Sequence, residues 1–330
     1  MHKIVGDGIV NLIELGWIRP LKLTSNQVSS LFPSLLQPSS VVSTASLLNE
    51  LQLARGRALT PAAAFCFNRQ MPEPEVCAVA DNLLQALRFF GHSRASSEIQ
   101  DLPGVSLIFC GLNYAAFNAA LLARPVEGNG QELSRLIQLS AQRFDSRNLR
   151  WTCWVCDDYL SRPALRDADR IFSRYGLRPL TQAPGMYTRK LLPPYHKLPS
   201  VEVRPVSDAI TRKAFAEIMS VAFEIPQAVC TAVYGSEFAW TGGLRGYVGF
   251  LNGKAVTTAA AMLTGDVVGL YSVATLPAFR RLGYAEAIMR RVIEEAGAAG
   301  TVLQSTRSGL SLYERMGYRM VTNFSVYIAD

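Results

Sequence analysis

Apolar positions recur along this chain at two spacings, and the clearer pattern lies in the last third. Over residues 285–296 (AEAIMRRVIEEA), Ala285, Ile288, Met289, Val292, Ile293 and Ala296 fall on one helical face. On the opposite face Glu286 is spaced to pair with Arg290, and Arg291 with Glu295. Upstream, GYVGFL and KAVTTAAAML read as two strands joined by Asn252-Gly253, a type I′ hairpin signal. The tight turn Thr264-Gly265-Asp266 leads to a further strand, VVGLYSVAT (267–275). A strand at 201–206 precedes a helix, ITRKAFAEIMSVAF, for which Ser207 or Asp208 is the predicted cap. After the 285–296 helix come a strand at 301–305, a short helix at 309–316 closed by Gly317, and a last strand at 318–329.

The middle of the chain is less regular. Residues 76–90 are predicted helical and 105–111 a strand, whereas 115–122 fits either state. In 132–144, Leu133, Leu136, Ile137, Ser140 and Phe144 share a helical face. A strand follows at 151–156, then a helix at 164–176 stopped by Gly176. This alternation predicts one α/β lobe over roughly 100–190. The segment KLLPPYHKLPS (190–200), with three prolines and no period, reads as a linker. Residues 22–60 are rich in Ser, Leu, Thr and Pro and have no period. The expected organisation is therefore an N-terminal extension (1–75), a lobe at 76–192 and a domain at 200–330.

Composition narrows the class. A chain of 330 residues, 49% hydrophobic and 18% charged, carries ample core for two domains. The formal charge of +7 is spread along the sequence, which suits an anionic small molecule and does not demand nucleic acid. Steeply salt-dependent binding would be the mark of a nucleic-acid protein. No apolar run approaches the ~18–20 residues of a membrane span, and Asp7 and Glu14 interrupt any signal-like segment, so the expectation is a cytoplasmic protein without a membrane partner. Cys153 and Cys156 form the one C-x-x-C, but within a strand-like stretch and without a nearby histidine. They read as structural thiols and no metal site is expected.

The chemistry concentrates in LYSVATLPAFRRLGYAEA (270–287). A strand runs into a turn with two adjacent arginines and a glycine, then into the strongest amphipathic helix. A helix start offers unpaired N–H groups and partial positive charge. Gly283 is expected to leave room for a phosphate, Ala285 to keep the first turn small, and Arg280 and Arg281 to add charge. Together they describe a pyrophosphate cradle.

RRLGYA (280–285) and LYERMGY (312–318) resemble the R/Q-x-x-G-x-G/A turn and the L-Y-E-x-x-G-F/Y helix of the GNAT superfamily of N-acetyltransferases, over about residues 200–330. The 76–192 lobe has a similar rhythm without the turn, and reads as a degenerate half of a tandem arrangement or as an unrelated α/β cap. The resemblance implies an α/β (α+β) fold, with a mixed, mainly antiparallel sheet flanked by helices. It implies acetyl-CoA as acyl donor and an amine, on a small molecule or a peptide, as acceptor. By the same resemblance Val273, Ala274 and Thr275 face the pantetheine arm, and Arg280, Arg281, Leu282, Gly283, Tyr284 and Ala285 hold the pyrophosphate. Tyr313 donates a proton to the departing thiolate. Thr306 stands where the family often has a cofactor-contacting Asn. No general base is evident; Glu224, Tyr271 and Glu237 are candidates, and a water could relay the proton instead. The alternative is a non-catalytic acyl-CoA-binding or regulatory protein. The acceptor and the oligomeric state, a homodimer included, stay open.

Overall fold

The computed structural model describes residues 72–329; the expectations placed on 1–71, Cys66 among them, lie outside these residues. Residues 71–330 fall into one compact unit. In chain order its elements are helix α1 (Pro74–Leu87), strands β1 (Glu98–Leu102), β2 (Val105–Phe109) and β3 (Ala119–Leu122), helix α2 (Gln131–Asp145), strand β4 (Thr152–Cys156), helices α3 (Arg162–Arg166) and α4 (Ala168–Ser173), and strand β5 (Leu177–Thr188). Then follow β6 (Glu202–Pro205), α5 (Ala209–Phe223), α6 (Gln227–Tyr234), β7 (Leu244–Leu251), β8 (Lys254–Thr264), β9 (Val267–Thr275), α7 (Tyr284–Ala296), β10 (Gly300–Gln304), α8 (Leu310–Arg315) and β11 (Arg319–Ala329).

All eleven strands form one sheet, in the order β1-β2-β3-β4-β11-β5-β10-β9-β8-β7-β6. Two neighbouring pairs are parallel, β3 with β4 and β9 with β10, and the others are antiparallel. Helix α2 lies between β3 and β4 in the chain, and α7 between β9 and β10, as parallel neighbours require. The same run of three antiparallel strands, crossover helix and parallel fourth strand thus occurs twice. The two runs meet through an exchange. β5 follows β4 in sequence but pairs with β10, and β11 follows β10 but pairs with β4. β5 and β11 pair with each other along nearly their whole length, from Arg319↔Tyr187 to Ala329↔Leu177. The sequence division at 192/200 therefore does not divide the sheet.

Local chemistry explains most elements. Asp208, rather than Ser207, caps α5: its side chain accepts the Thr211 N–H at 2.7 Å, and the Thr211 hydroxyl accepts from the Asp208 N–H in return. Asn252 and Gly253 both have positive φ, 49° and 77°, as a type I′ turn needs. The helix expected at 164–176 is two short helices broken at Asp167, whose φ/ψ of −95°/0° interrupts the first helix while starting the second. β5 runs through Pro179 and Pro184, which lack a ladder N–H. Its register with β11 slips beside Pro179, and β10 ends one residue short of Pro184.

Two helical layers cover the second half of the sheet. On one face Val248, Ala260 and Met262 pack against Phe215, Ile218 and Met219 of α5 and Cys230 and Val233 of α6. On the other, Tyr247, Ala259, Ala261, Val268 and Leu270 pack against Ile288, Met289 and Val292 of α7. Fully burying those three α7 side chains contributes about 1.5–3 kcal/mol each. The Glu286–Arg290 pair on the same helix adds a few tenths, about 0.3–0.5 kcal/mol. Burial, not ion pairing, seats the helix. The expected Arg291–Glu295 pair does not form: Arg291 turns to Glu294, and Glu295 accepts a hydrogen bond from the Tyr247 hydroxyl.

Helix α1 belongs to the first face. Its Val79, Ala80 and Leu83 share a core with Val267, Val302, Phe324 and Tyr187, so it spans strands from both runs. Phe89 and Phe90, just beyond it, meet Phe117, Tyr234 and Trp240 in an aromatic cluster.

Candidate active site

The site begins where β9 and β10 part. Their pairing runs only from Gly300↔Val267 to Val302↔Gly269, while β9 continues to Thr275. Beyond Gly269 the edge of β9 facing β10 has no ladder partner among the described residues, and those of its main-chain groups that side chains do not engage can pair with an extended ligand. In the first run the corresponding opening is shut. The Val126 N–H donates to the Tyr159 carbonyl at 2.7 Å, joining the ends beyond β3 and β4, and Val126 is buried in the core.

A bulge shapes the parted strand. Ser272 sits at φ 49°, and the β8 partners step from Ala260↔Tyr271 to Thr258↔Ala274. One extra residue reverses which face later side chains point to. Tyr271 lies on the α5 face before the bulge, and Ala274 returns to that face after it, while Val273 packs with the α7 cluster. Two threonines hold the distortion. The Thr258 hydroxyl donates to the Ser272 carbonyl at 2.9 Å, and the Thr257 hydroxyl to the Ala274 carbonyl at 2.7 Å. The only sequence signal for this clamp is an adjacent Thr-Thr in an otherwise apolar strand.

Beyond Thr275 the chain turns into α7. Gly283 is its N-cap at φ 88°, without a side-chain cap, and the first intrahelical bond is the Ala287 N–H to the Gly283 carbonyl. Among the described residues no acceptor takes the N–H of Arg281, Leu282, Gly283, Tyr284, Ala285 or Glu286. A run of orphan amides at the positive end of a helix is an anion cradle, and a diphosphate fits its chemistry.

The predicted residues of the turn differ in what they touch. The Arg280 guanidinium is engaged, donating to the Thr275 carbonyl at 3.1 Å and the Ala222 carbonyl at 3.3 Å, so it ties the turn to β9 and α5. Arg281, exposed at φ 63° and without a partner among the described residues, is the free charge. Gly283 is not vacant on its ligand side for want of a Cβ. A Cβ there would meet Pro199 Cδ at 3.0 Å and Leu198 Cδ2 at 3.4 Å. Glycine is needed for the positive φ and for the close passage of the 190–200 segment. Leu282 is exposed, Tyr284 is buried edge-on to Phe279, and Ala285 is half-buried in the first turn.

Across the opening, Tyr313 packs on the same apolar cluster as Val273. Its ring lies against Gly309 and edge-on to Tyr318, and its hydroxyl has no hydrogen bond among the described residues. Burial pushes the phenol up to about 12, so it keeps its proton throughout the neutral range. The Thr306 hydroxyl is engaged locally: it accepts the Gly309 N–H at 3.2 Å and lies 3.0 Å from Ser308 Oγ, shaping the turn before α8.

The base candidates differ in their surroundings. Glu224 is exposed at the left-handed end of α5, and Glu237 is exposed beside Arg212. The Tyr271 hydroxyl donates to Asn82 Oδ1 at 2.7 Å, and burial raises it well above the ordinary phenol.

Asn82 of α1 was not legible as part of this region. It is fully buried, and its amide donates to the Met262 carbonyl and the Thr264 hydroxyl across the β8–β9 turn. A Cβ at Gly269 would lie 1.8 Å from its Oδ1, which accounts for glycine at the last position of β9 that pairs with β10. Nearby, Gln304 at the end of β10 donates to the Val79 carbonyl, while its Oε1 is buried without a partner. Among the described residues no helix is long and apolar enough to cross a membrane, and no group of three His, Cys, Asp or Glu side chains could hold a metal. The five described cysteines are free; Cys153 and Cys156 are buried, and burial pushes the Cys156 thiol up to about 12.

Residues 242–320 match the model of the acetyltransferase (GNAT) domain family. No curated protein matches the chain. Among solved structures, the chain is similar to a GCN5-related N-acetyltransferase from Kribbella flavida, at 17% identity over 77% of this chain and 95% of that one, with a TM-score of 0.56. It is also similar to a functionally unknown conserved protein from Staphylococcus epidermidis ATCC 12228, at 12% identity over 70% and 92%, with a TM-score of 0.50. The fold is thus the mixed, mainly antiparallel sheet flanked by helices that such proteins share. The parted strands and the orphan amides all fall within residues 242–320, and it is this segment of the chain that is identified as an acetyltransferase (GNAT) domain.

Proposed function

We propose that this chain transfers an acetyl group from acetyl-CoA directly to an amine. The carrying observation is the continuity of two features: the unpartnered edge of β9 and, directly after it, the unpartnered amides of residues 281–286. The first suits the two amides of a pantetheine arm, the second its diphosphate. The thioester supplies an activated acyl carbon. Val273, Ala274 and Thr275 would hold the arm by main-chain hydrogen bonds, and a backbone N–H at the bulge would stabilise the thioester oxygen as it gains charge. The amine nitrogen forms its bond to the acyl carbon as the carbon–sulfur bond breaks. Tyr313 faces the sulfur's departure as a protonated phenol. Because an ordinary thiol ionises near about 8.5, complete transfer from a phenol near 12 is uphill. Tyr313 therefore acts chiefly by donating a hydrogen bond to the thiolate, and water carries away the proton lost by the amine.

A second reading, a non-catalytic acyl-CoA-binding protein, draws on the exposure of Glu224 and Glu237 and the engagement of Tyr271. One experiment separates the two. Free thiol released from acetyl-CoA is measured with and without a panel of amines, small and peptidic. Acceptor-dependent release supports transfer; tight binding of acetyl-CoA without it establishes the binding protein.

A further inference from the structure

The segment between β5 and β6 does more than connect them. It is pinned at both ends to the walls of the cradle. At one end the Leu192 N–H donates to the Met316 carbonyl just past α8, and the Leu192 carbonyl accepts from Arg290 of α7 at 2.7 Å. At the other, Leu198 and Pro199 lie against Gly283 at the start of α7. Gly283 and Arg290 are seven helical residues apart, roughly 10 Å, and the reach of the Arg290 side chain brings the span to roughly 10–15 Å. Seven extended residues reach about 23 Å. The intervening residues 193–197 are therefore not fully extended, and the chain bends at Tyr195 and His196 to form an arch between the two anchors.

The composition of the arch is unusual for a connector. Pro193 and Pro194 stiffen its rise. At its crest Tyr195 is 83% exposed, with its ring edge-on to His196 at 4.7 Å. Lys197 follows, exposed and without a partner among the described residues. It stands two residues from Pro199, which touches the cradle, so its ammonium can reach the space in front of the orphan amides. Arg281 offers a second unpaired cation within the turn itself.

We propose that this arch is a nucleotide-recognition element, in which Tyr195 stacks on a purine and Lys197 pairs with a phosphate on the sugar. The proposal rests on the reading of 281–286 as the diphosphate cradle, and extends it outward to the nucleoside end of the same ligand. An aromatic face and a cation side by side, next to a site for a diphosphate, match a nucleoside diphosphate carrying a further phosphate.

The test is calorimetric titration of the full chain with CoA, 3′-dephospho-CoA and 4′-phosphopantetheine, using the wild type, Lys197→Ala and Tyr195→Ala. Both side chains are exposed, so the variants are expected to fold. The wild type should bind CoA about tenfold tighter than dephospho-CoA, and Lys197→Ala should erase that difference. Tyr195→Ala should weaken both nucleotides about tenfold and leave phosphopantetheine unchanged. If both variants bind CoA like the wild type, the arch is only a connector and the proposal is overturned, while the cradle stands. If the wild type binds none of the three ligands, the cradle reading falls and takes the arch with it.

Discussion

At the scale of single residues, the site divides into side chains that are engaged and side chains that are left free, and the free ones indicate the chemistry. Arg280 spends its guanidinium on two backbone carbonyls, Thr306 its hydroxyl on a local turn, and Tyr271 its proton on Asn82. Tyr313 is different: its ring is half-buried against an apolar cluster, and its hydroxyl has no hydrogen-bond partner among the described residues. A phenol in that state can donate to a new negative charge without first breaking a bond. Tyr313→Phe is accordingly expected to lower kcat about tenfold to a hundredfold. Because the ring and its packing on Gly309 and Tyr318 are kept, affinity for acetyl-CoA should be unchanged. Steady-state kinetics beside a direct binding measurement decide it. A rise in KM with kcat intact would assign the hydroxyl to binding and remove it from the chemical step.

At the scale of elements, the parted strand depends on a distortion that the sheet must be made to keep. Ser272 occupies a left-handed conformation that a residue with a Cβ adopts at a cost of order 1 kcal/mol. The Thr258 hydroxyl bond to the Ser272 carbonyl offsets a comparable amount. Thr258→Val removes that bond and keeps the shape of the side chain. The expected result is a protein that still folds, destabilised by about 1–2 kcal/mol in urea titration, whose kcat/KM for acetyl-CoA falls several-fold because the bulge no longer fixes the backbone of Val273–Thr275. Unchanged kinetics would show that the strand pairing alone sets the bulge. Much at this scale was readable from the sequence, because it is governed by neighbours in the chain. The seam of Ile288, Met289 and Val292, the Asn252-Gly253 turn and the Asp208 cap each rest on residues within a few positions of one another. The bulge carries no such local mark, since its clamp comes from the facing strand. Nor does Asn82, whose partners lie some 180 residues away. β5 was obscured by its own prolines, and the helix at 164–176 by a periodicity that continued across the break at Asp167.

At the scale of the molecule, burial of tyrosines and the exchange of strands each make a measurable demand. Burial raises Tyr234, Tyr271, Tyr318 and Tyr327 above the ordinary phenol value of 10.0, as it does Tyr313. Below about pH 10 the folded and unfolded chains both keep these phenol protons, and the tyrosines' contribution is fully present. As the pH rises toward 12 the unfolded chain loses protons that the folded chain retains, so stability falls. The urea midpoint should begin to fall above about pH 8.5, where the thiols of Cys110, Cys153, Cys156 and Cys230, also raised by burial, ionise in the unfolded chain only, and drop more steeply above 10; a midpoint that held through pH 11 would mean that the tyrosine hydroxyls ionise in place. The exchange makes the sharper demand. β11 pairs only with β4 and β5, and the β5-facing edge of β10 pairs only with β5; both partner strands precede residue 189. A fragment of residues 200–330 holds the whole of the matched family segment and every predicted site residue, yet it leaves β11 without either neighbour and bares that edge of β10. It also lacks Met186, which packs in the same core as Ile288 and Leu303. The fragment is expected to be insoluble or to unfold without cooperativity, and to bind no CoA. Residues 72–199 produced with it should restore soluble protein and binding, since the two pieces together rebuild the sheet. Far-UV circular dichroism on heating, with calorimetric titration of CoA, reads both. Cooperative melting of the fragment alone would mean that β11 can close directly onto β10, and that the exchange is an ornament of the fold rather than its foundation.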